Sequence, residues 1–156
     1  MWGKKQGVGC RVWGVRQKRC WDEIRTRTFG AESEASMQSY KELIVYQKAY
    51  QLSLLVYQVT KMFPKEELFG LVSQMRRSAI SIACNIAEGY RRKYRKEYIQ
   101  FLHVAYGSCS EVETLTSLSF DLGMIEQETF GKLGELGTEV SKLLRKLILS
   151  LSKSEV

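Results

Sequence analysis

From Ser39 to the C-terminus the apolar residues recur every three or four positions, the period of an amphipathic helix. Leu43, Tyr46, Tyr50, Leu54 and Tyr57 form one stripe, with steps of 3, 4, 4 and 3. Leu52, Leu55, Val59 and Met62 form a second. The spacing predicts a first helix over about Tyr40–Phe63, with more than one packing surface. Pro64 ends it, because the residue before a proline is pushed out of the helical region. A second helix starts near Lys65–Glu67, where acids in the first turn suit the helix dipole. It carries Leu68, Leu71, Met75, Ala79, Ile82 and Ile86, and is expected to end at Gly89 as its capping residue. A third, about Lys93–Leu122, carries Tyr98, Leu102, Ala105, Cys109, Val112, Leu115 and Leu122, with Gly123 capping it. A fourth, about Glu126–Leu151, carries Phe130, Leu133, Gly137, Val140, Leu144, Leu147 and Leu151.

Long helices joined by short turns fold back antiparallel on their neighbours. The fold class that follows is all-α: an up-down-up-down four-helix bundle over residues 37–156. Residues 1–36 are different. Their apolar positions keep neither a helical nor a strand period. This basic N-terminal arm reads as disordered or as a short unstable helix, or else as translated sequence upstream of a start at Met37. A lone proline, at position 64, fits a helical chain.

Charge changes the picture more than composition does. The chain carries a formal charge of +7. That favours an anionic partner, nucleic acid before a membrane surface. Residues 1–36 hold eight Lys/Arg against four Asp/Glu, and residues 37–156 hold sixteen against thirteen. The bundle is therefore only mildly basic, and its charge matters only where it clusters. The four cysteines, Cys10, Cys20, Cys84 and Cys109, form no C-x-x-C pair and have no spaced histidine partners, so no zinc site is expected. Cys84 and Cys109 read as buried small hydrophobes, which fits a reducing, cytoplasmic setting. No apolar run is long enough for a transmembrane helix.

Candidate chemistry is sparse. His103 is the one histidine, with no Glu three residues before it, so the Glu-x-x-His pairs of di-iron bundles are missing. No phosphate-binding glycine loop or nucleophile elbow occurs. No cofactor and no enzymatic activity are expected. The block Ser73–Gly89 is dense in small residues, which allows a close helix crossing. Asn85 and Glu88 stand polar within it and are expected to bond to the following turn or a neighbouring helix, ahead of any catalytic role. The most suggestive feature is the turn after it. Arg91, Arg92, Lys93, Arg95 and Lys96 put five cations in six positions, interleaved with Tyr90 and Tyr94 and preceded by Arg76 and Arg77. Guanidiniums can hold phosphates while the tyrosines stack on bases; the plainer alternative is a solvated turn. Lys142, Arg145 and Lys146 make a second group on the last helix, where a solvated polar face is the stronger reading.

Three stretches carry a family resemblance. Tyr40-Lys-Glu-Leu-Ile-Val-Tyr-Gln-Lys-Ala49, the block Gln74-Met-Arg-Arg-Ser-Ala-Ile-Ser-Ile-Ala-Cys-Asn-Ile-Ala-Glu-Gly89, and Glu97-Tyr-Ile-Gln-Phe-Leu-His-Val-Ala-Tyr-Gly-Ser-Cys-Ser-Glu111 resemble the four-helix-bundle proteins encoded within intervening sequences of bacterial 23S ribosomal RNA genes. Phe63-Pro64 followed by Glu67 is similar too. The resemblance spans about Ser39–Leu149; residues 1–36 have no counterpart in it. It implies a ring-like homopentamer with no established reaction and a role on RNA. The related accessory variability determinants of diversity-generating retroelements also look alike, and that branch implies a reverse transcriptase as partner. Two functions stand as expectations. One is a homo-oligomeric scaffold binding RNA or an RNA–protein complex through a basic surface. The other is a protein-interaction subunit for which nucleic acid is secondary.

Overall fold

A computed structural model of the chain describes residues 39–153. The expected N-terminal arm, residues 1–36, lies outside them. Among the described residues there are four α-helices and no strand: α1 Ile44–Val59, α2 Leu71–Tyr90, α3 Arg95–Asp121 and α4 Gln127–Lys153. Each helix packs on the next, and α1 packs back on α4. The diagonal pairs α1–α3 and α2–α4 make no close backbone approach. This is the square arrangement of an up-down-up-down bundle.

Polar ties at mid-height fix the register. Ser53 Oγ on α1 donates to the Ala79 carbonyl of α2 at 2.8 Å. Ser81 Oγ on α2 and Ser108 Oγ on α3 are 2.9 Å apart. Cys109 Sγ on α3 donates to the Gly137 carbonyl of α4 at 3.4 Å. Burial pushes the Cys109 thiol up, so it keeps the proton it donates. Ser141 Oγ sits 3.1 Å from that sulfur and 3.0 Å from Glu113 Oε1. Lys48 of α1 closes the ring on Glu139 of α4 at 2.8 Å.

The core follows the predicted stripes on α2, α3 and α4, apart from Leu122, which caps α3 and is exposed: Met75, Ala79, Ile82 and Ile86 meet Leu102, Ala105, Cys109 and Val112, with Leu133, Val140 and Leu144 opposite. α2 and α3 share the most extensive interface, as the small residues of Ser73–Gly89 suggest. Gly123 closes α3 as expected. Its φ is +70°, Gly123 N–H bonds to the Phe120 carbonyl and Met124 N–H to the Ser119 carbonyl. That is a Schellman ending, which requires a left-handed residue.

Other expectations need correction. The first predicted helix is three pieces: a 3₁₀ turn Tyr40–Glu42, α1, and a 3₁₀ turn Thr60–Met62. Leu43 is extended between the first two, and Gln47 Nε2 satisfies the Lys41 carbonyl across the break at 3.0 Å. The buried line of α1 is Val45, Ala49, Leu52, Ser53 and Val56, which shares Leu52 with the second predicted stripe and otherwise falls between the two. Two of the five, Ala49 and Ser53, are small, and at Ser53 the α2 backbone comes within hydrogen-bond reach; Tyr50, Tyr57 and Met62 are exposed. Lys65–Glu67 is a 3₁₀ turn, and α2 starts later, at Leu71. Glu67 still acts at the helix start, its Oε2 accepting from Leu71 N–H at 3.2 Å. Leu68 therefore falls outside the helical register and is exposed. Gly89 does not end α2. The helix runs through Tyr90, and Arg91 is its capping residue in right-handed conformation. Cys84 is exposed on the outer face of α2, whereas Cys109 is buried.

Candidate nucleic-acid interface

The bond pattern at the end of α2 sets up the basic turn. Arg91 N–H and Arg92 N–H return to the carbonyls of Glu88 and Gly89, so the helix closes tightly before the chain reverses. Gly89 makes the reversal possible. A Cβ there would lie 2.7 Å from Phe101 Cβ and 2.9 Å from Tyr98 Cδ2. Only glycine lets the start of α3 come so near. Arg91, Arg92, Lys93, Tyr94, Arg95 and Lys96 are all exposed.

Three of these cations have their geometry set by aromatic rings. The Arg91 guanidinium lies 5.4 Å from the Tyr40 ring centre, Arg92 lies 4.6 Å from Phe101, and the Lys93 ammonium lies 5.7 Å from Tyr94. Arg92 also pairs with Glu88, one helical turn back. Such contacts hold the charges without neutralising most of them.

The predicted residues divide. The structure brings Arg91, Arg92, Lys93, Arg95 and Lys96 together, with Tyr94 exposed beside them. It does not bring Arg76 and Arg77 there. They lie about 20 Å along α2 from Arg91, at 1.5 Å per residue. Arg76 is half-buried, donating to Thr60 Oγ1 at 2.8 Å and covering Tyr57. Arg77 bonds to Gln74 and faces Glu111 at 3.6 Å. Tyr90 is not a free stacking face. Its ring meets Tyr40 and Tyr98 edge-on, in a cluster that Tyr46 extends. Burial, then the neighbouring Tyr90, push the Tyr98 phenol up to about 12. Asn85 bonds within its own helix, to the Ser81 carbonyl at 2.7 Å and Ser81 Oγ at 3.0 Å, not to a neighbouring helix. Glu88 reaches the turn through Arg92, as expected.

The sequence pattern sets Lys142, Arg145 and Lys146 apart from the turn. Topology does not. The C-terminal half of α4 runs down to the same end of the bundle as the α2–α3 turn, and these side chains are exposed there with Lys153. With the Lys48–Glu139 pair taken as the waist, this end comprises residues 39–47, 81–108 and 140–153. It holds ten Lys/Arg against three carboxylates: Glu42, Glu88 and Glu97. The opposite end, residues 49–80 and 109–138, holds five against eight. A mildly charged domain is thus strongly polarised along its axis. The signal that could have found this was the alternation of helix direction applied to each charge.

Among the described residues no three His, Cys, Asp or Glu are grouped to hold a metal ion, and no helix is long and apolar enough to cross a membrane. His103 is exposed on α3.

A solved structure of similar fold is a protein of unknown function from the S23 ribosomal protein family of Bacteroides thetaiotaomicron VPI-5482. It superposes with a TM-score of 0.63 and is 26% identical, covering 67% of this chain and 95% of that one. No curated protein matches the chain. The family model of the 23S rRNA-intervening sequence proteins matches residues 41–146, from the turn before α1 to the C-terminal half of α4, and the chain belongs to that family.

Proposed function

We propose that the chain is a non-catalytic, cytoplasmic scaffold that binds RNA, or an RNA–protein complex, through the basic end of its bundle, and does so as a homo-oligomer. One observation carries the reading: ten Lys/Arg face three carboxylates at one end, while the other end is net acidic. A surface of this kind binds phosphates by releasing their counterions and orients the protein on the strand. The family's description supports RNA as the anion. The polar groups that catalysis would recruit are engaged in the bundle, Asn85 with Ser81 and Glu113 with Ser141. Ile44, Tyr50 and Tyr57 leave apolar surface on the outer side of α1, which supports association of copies. Repetition around a ring multiplies weak phosphate contacts into avidity. The resemblance supplies the number five.

A second reading has its own support. Phe69 is 90% exposed and Met62 85%, with Leu68 beside them at the acidic end. An apolar tip of this kind suits a protein contact, as in an accessory subunit of a reverse transcriptase.

Fluorescence anisotropy with a labelled single-stranded RNA tests the first reading. Lys93, Arg95 and Lys96 changed together to Gln should weaken binding and lower the log–log salt slope by about 0.7 for each phosphate no longer neutralised. Lys61, Lys65 and Lys132 changed together to Gln, at the opposite end, should leave both unchanged. Equal weakening by the two triples would reduce the effect to net charge. No binding at about 50 mM salt would sink the RNA reading and leave the protein-docking one. Light scattering addresses assembly. A single 18.0 kDa species at micromolar concentration would remove the homo-oligomer.

A further inference from the structure

Where the 3₁₀ turn Tyr40–Glu42 crosses the last two turns of α2, an open groove of about 440 Å³ is lined by Tyr40, Cys84, Ala87, Glu88, Arg91 and Arg92. Its floor is apolar, formed by the Cys84 thiol and the Ala87 methyl three positions apart on one helix face. Its wall is the Tyr40 ring. That ring is held edge-on by Tyr46 at 4.9 Å, so it needs no ordering on binding. Its rim carries two guanidiniums already in place, Arg91 over Tyr40 and Arg92 over Phe101. Glu88 pairs with Arg92, and two arginines against one carboxylate leave the rim net cationic.

The combination selects its ligand. A bare phosphate gains nothing from an apolar floor and is served as well by Lys93 and Lys96. An aliphatic ligand gains nothing from the guanidiniums. A nucleotide uses both: its flat base covers apolar surface beside an aromatic ring, and its phosphate meets the arginines. Bases paired within a duplex are stacked and cannot enter. We infer that this groove seats one unpaired nucleotide of the bound RNA, the base against Tyr40, Cys84 and Ala87 and the phosphate on Arg91 and Arg92. The inference rests on the RNA reading above and adds which strand state is bound and where.

Cys84 is a built-in reporter, since it is exposed on the groove floor while Cys109 is buried. The full chain is alkylated with iodoacetamide, and the Cys84 peptide is followed by mass spectrometry. Single-stranded oligoadenylate at ten times its Kd should slow Cys84 alkylation about tenfold, since only the free fraction reacts. Duplex RNA and adenosine monophosphate at the same concentration should not protect it. Anisotropy on the same samples separates the two ideas. RNA bound with Cys84 alkylating at its free rate overturns the seat and leaves the RNA reading standing. Absence of RNA binding overturns both. Protection by the mononucleotide equal to that by the strand also overturns the inference, because the occupant is then a free nucleotide. Filling the floor with Cys84→Trp should weaken single-strand binding by roughly five- to 150-fold, the range of one base stack, with the salt slope unchanged. A changed slope would mean that the substitution had displaced phosphates rather than a base.

Discussion

Gly89 and Gly107 lie on facing helices of the most extensive interface and answer to opposite demands. At Gly89 a methyl group would meet the Phe101 Cβ at 2.7 Å, an atom fixed to the α3 backbone. At Gly107 nothing lies within 4 Å of the added carbon. Gly89→Ala should therefore destabilise the bundle by about 1–3 kcal/mol, the usual cost of overpacking. Gly107→Ala should stabilise it by about 0.5–1 kcal/mol, because an exposed helical glycine spends backbone entropy that alanine does not. Urea unfolding with an unchanged m-value reads both. Equal effects of the two substitutions would show that α2 and α3 do not approach closely at Gly89. The sequence marks Gly89 as special, but for the wrong reason. A glycine before a charged turn looks like a cap, whereas the demand here comes from another helix about ten positions away. Local pattern does not carry that information.

Among the elements, legibility follows how far each helix depends on its partners. α3 and α4 have long, regular stripes and a glycine stop between them, so most of their core residues could be assigned from spacing, although the last turns of α3 bury Thr116 and Ser119 and leave the predicted Leu122 exposed. α1 could not. Its large side chains, Tyr46, Tyr50, Leu54 and Tyr57, make the stronger apolar pattern, yet Ala49 and Ser53 take the centre, where the α2 backbone comes within hydrogen-bond reach of Ser53. The start of α2 is misplaced by spacing for a related reason: two short 3₁₀ turns around Pro64 mimic helical spacing without continuing it. The tyrosine cluster joining the turn before α1 to the ends of α2 and α3 offers a test at this scale. Tyr98 has its phenol pushed up to about 12 by burial, from an ordinary value of 10.0. The folded state holds this proton more tightly than the unfolded state does. Its contribution to stability is thus fully present below pH 10 and is lost as pH rises from there through about 12. Tyr46 is also held above the ordinary value by burial, so ultraviolet titration should show a late tyrosine phase, and Tyr98→Phe should remove the Tyr98 part of it and the matching alkaline loss of stability. A titration unchanged by Tyr98→Phe would place the slow phenol elsewhere.

On the scale of the whole molecule, the proposed function rests on where the helices carry their charges. The five cations of the turn stand out in sequence because they are adjacent. Lys142, Arg145 and Lys146 do not stand out, because about fifty residues separate them from the turn and a polar helix face explains them well enough. The antiparallel path places both groups at one end. The α4 charges would act on an anionic strand held at the turn wherever it comes within the screening length of about 8–10 Å at physiological salt. Lys142, Arg145 and Lys146 changed together to Gln should accordingly weaken RNA binding and lower the salt slope, although none belongs to the turn. Combining this triple with Lys93, Arg95 and Lys96→Gln tests whether the two groups act as one surface. Separate contacts on one strand should lower the slope by the sum of the two single effects, and the changes in binding free energy should add to within about 0.5 kcal/mol. Helical content by circular dichroism should hold throughout, since exposed side chains contribute little to packing. An unchanged slope for the α4 triple would confine the RNA to the turn, and the polarity of the bundle would then steer approach without forming part of the contact.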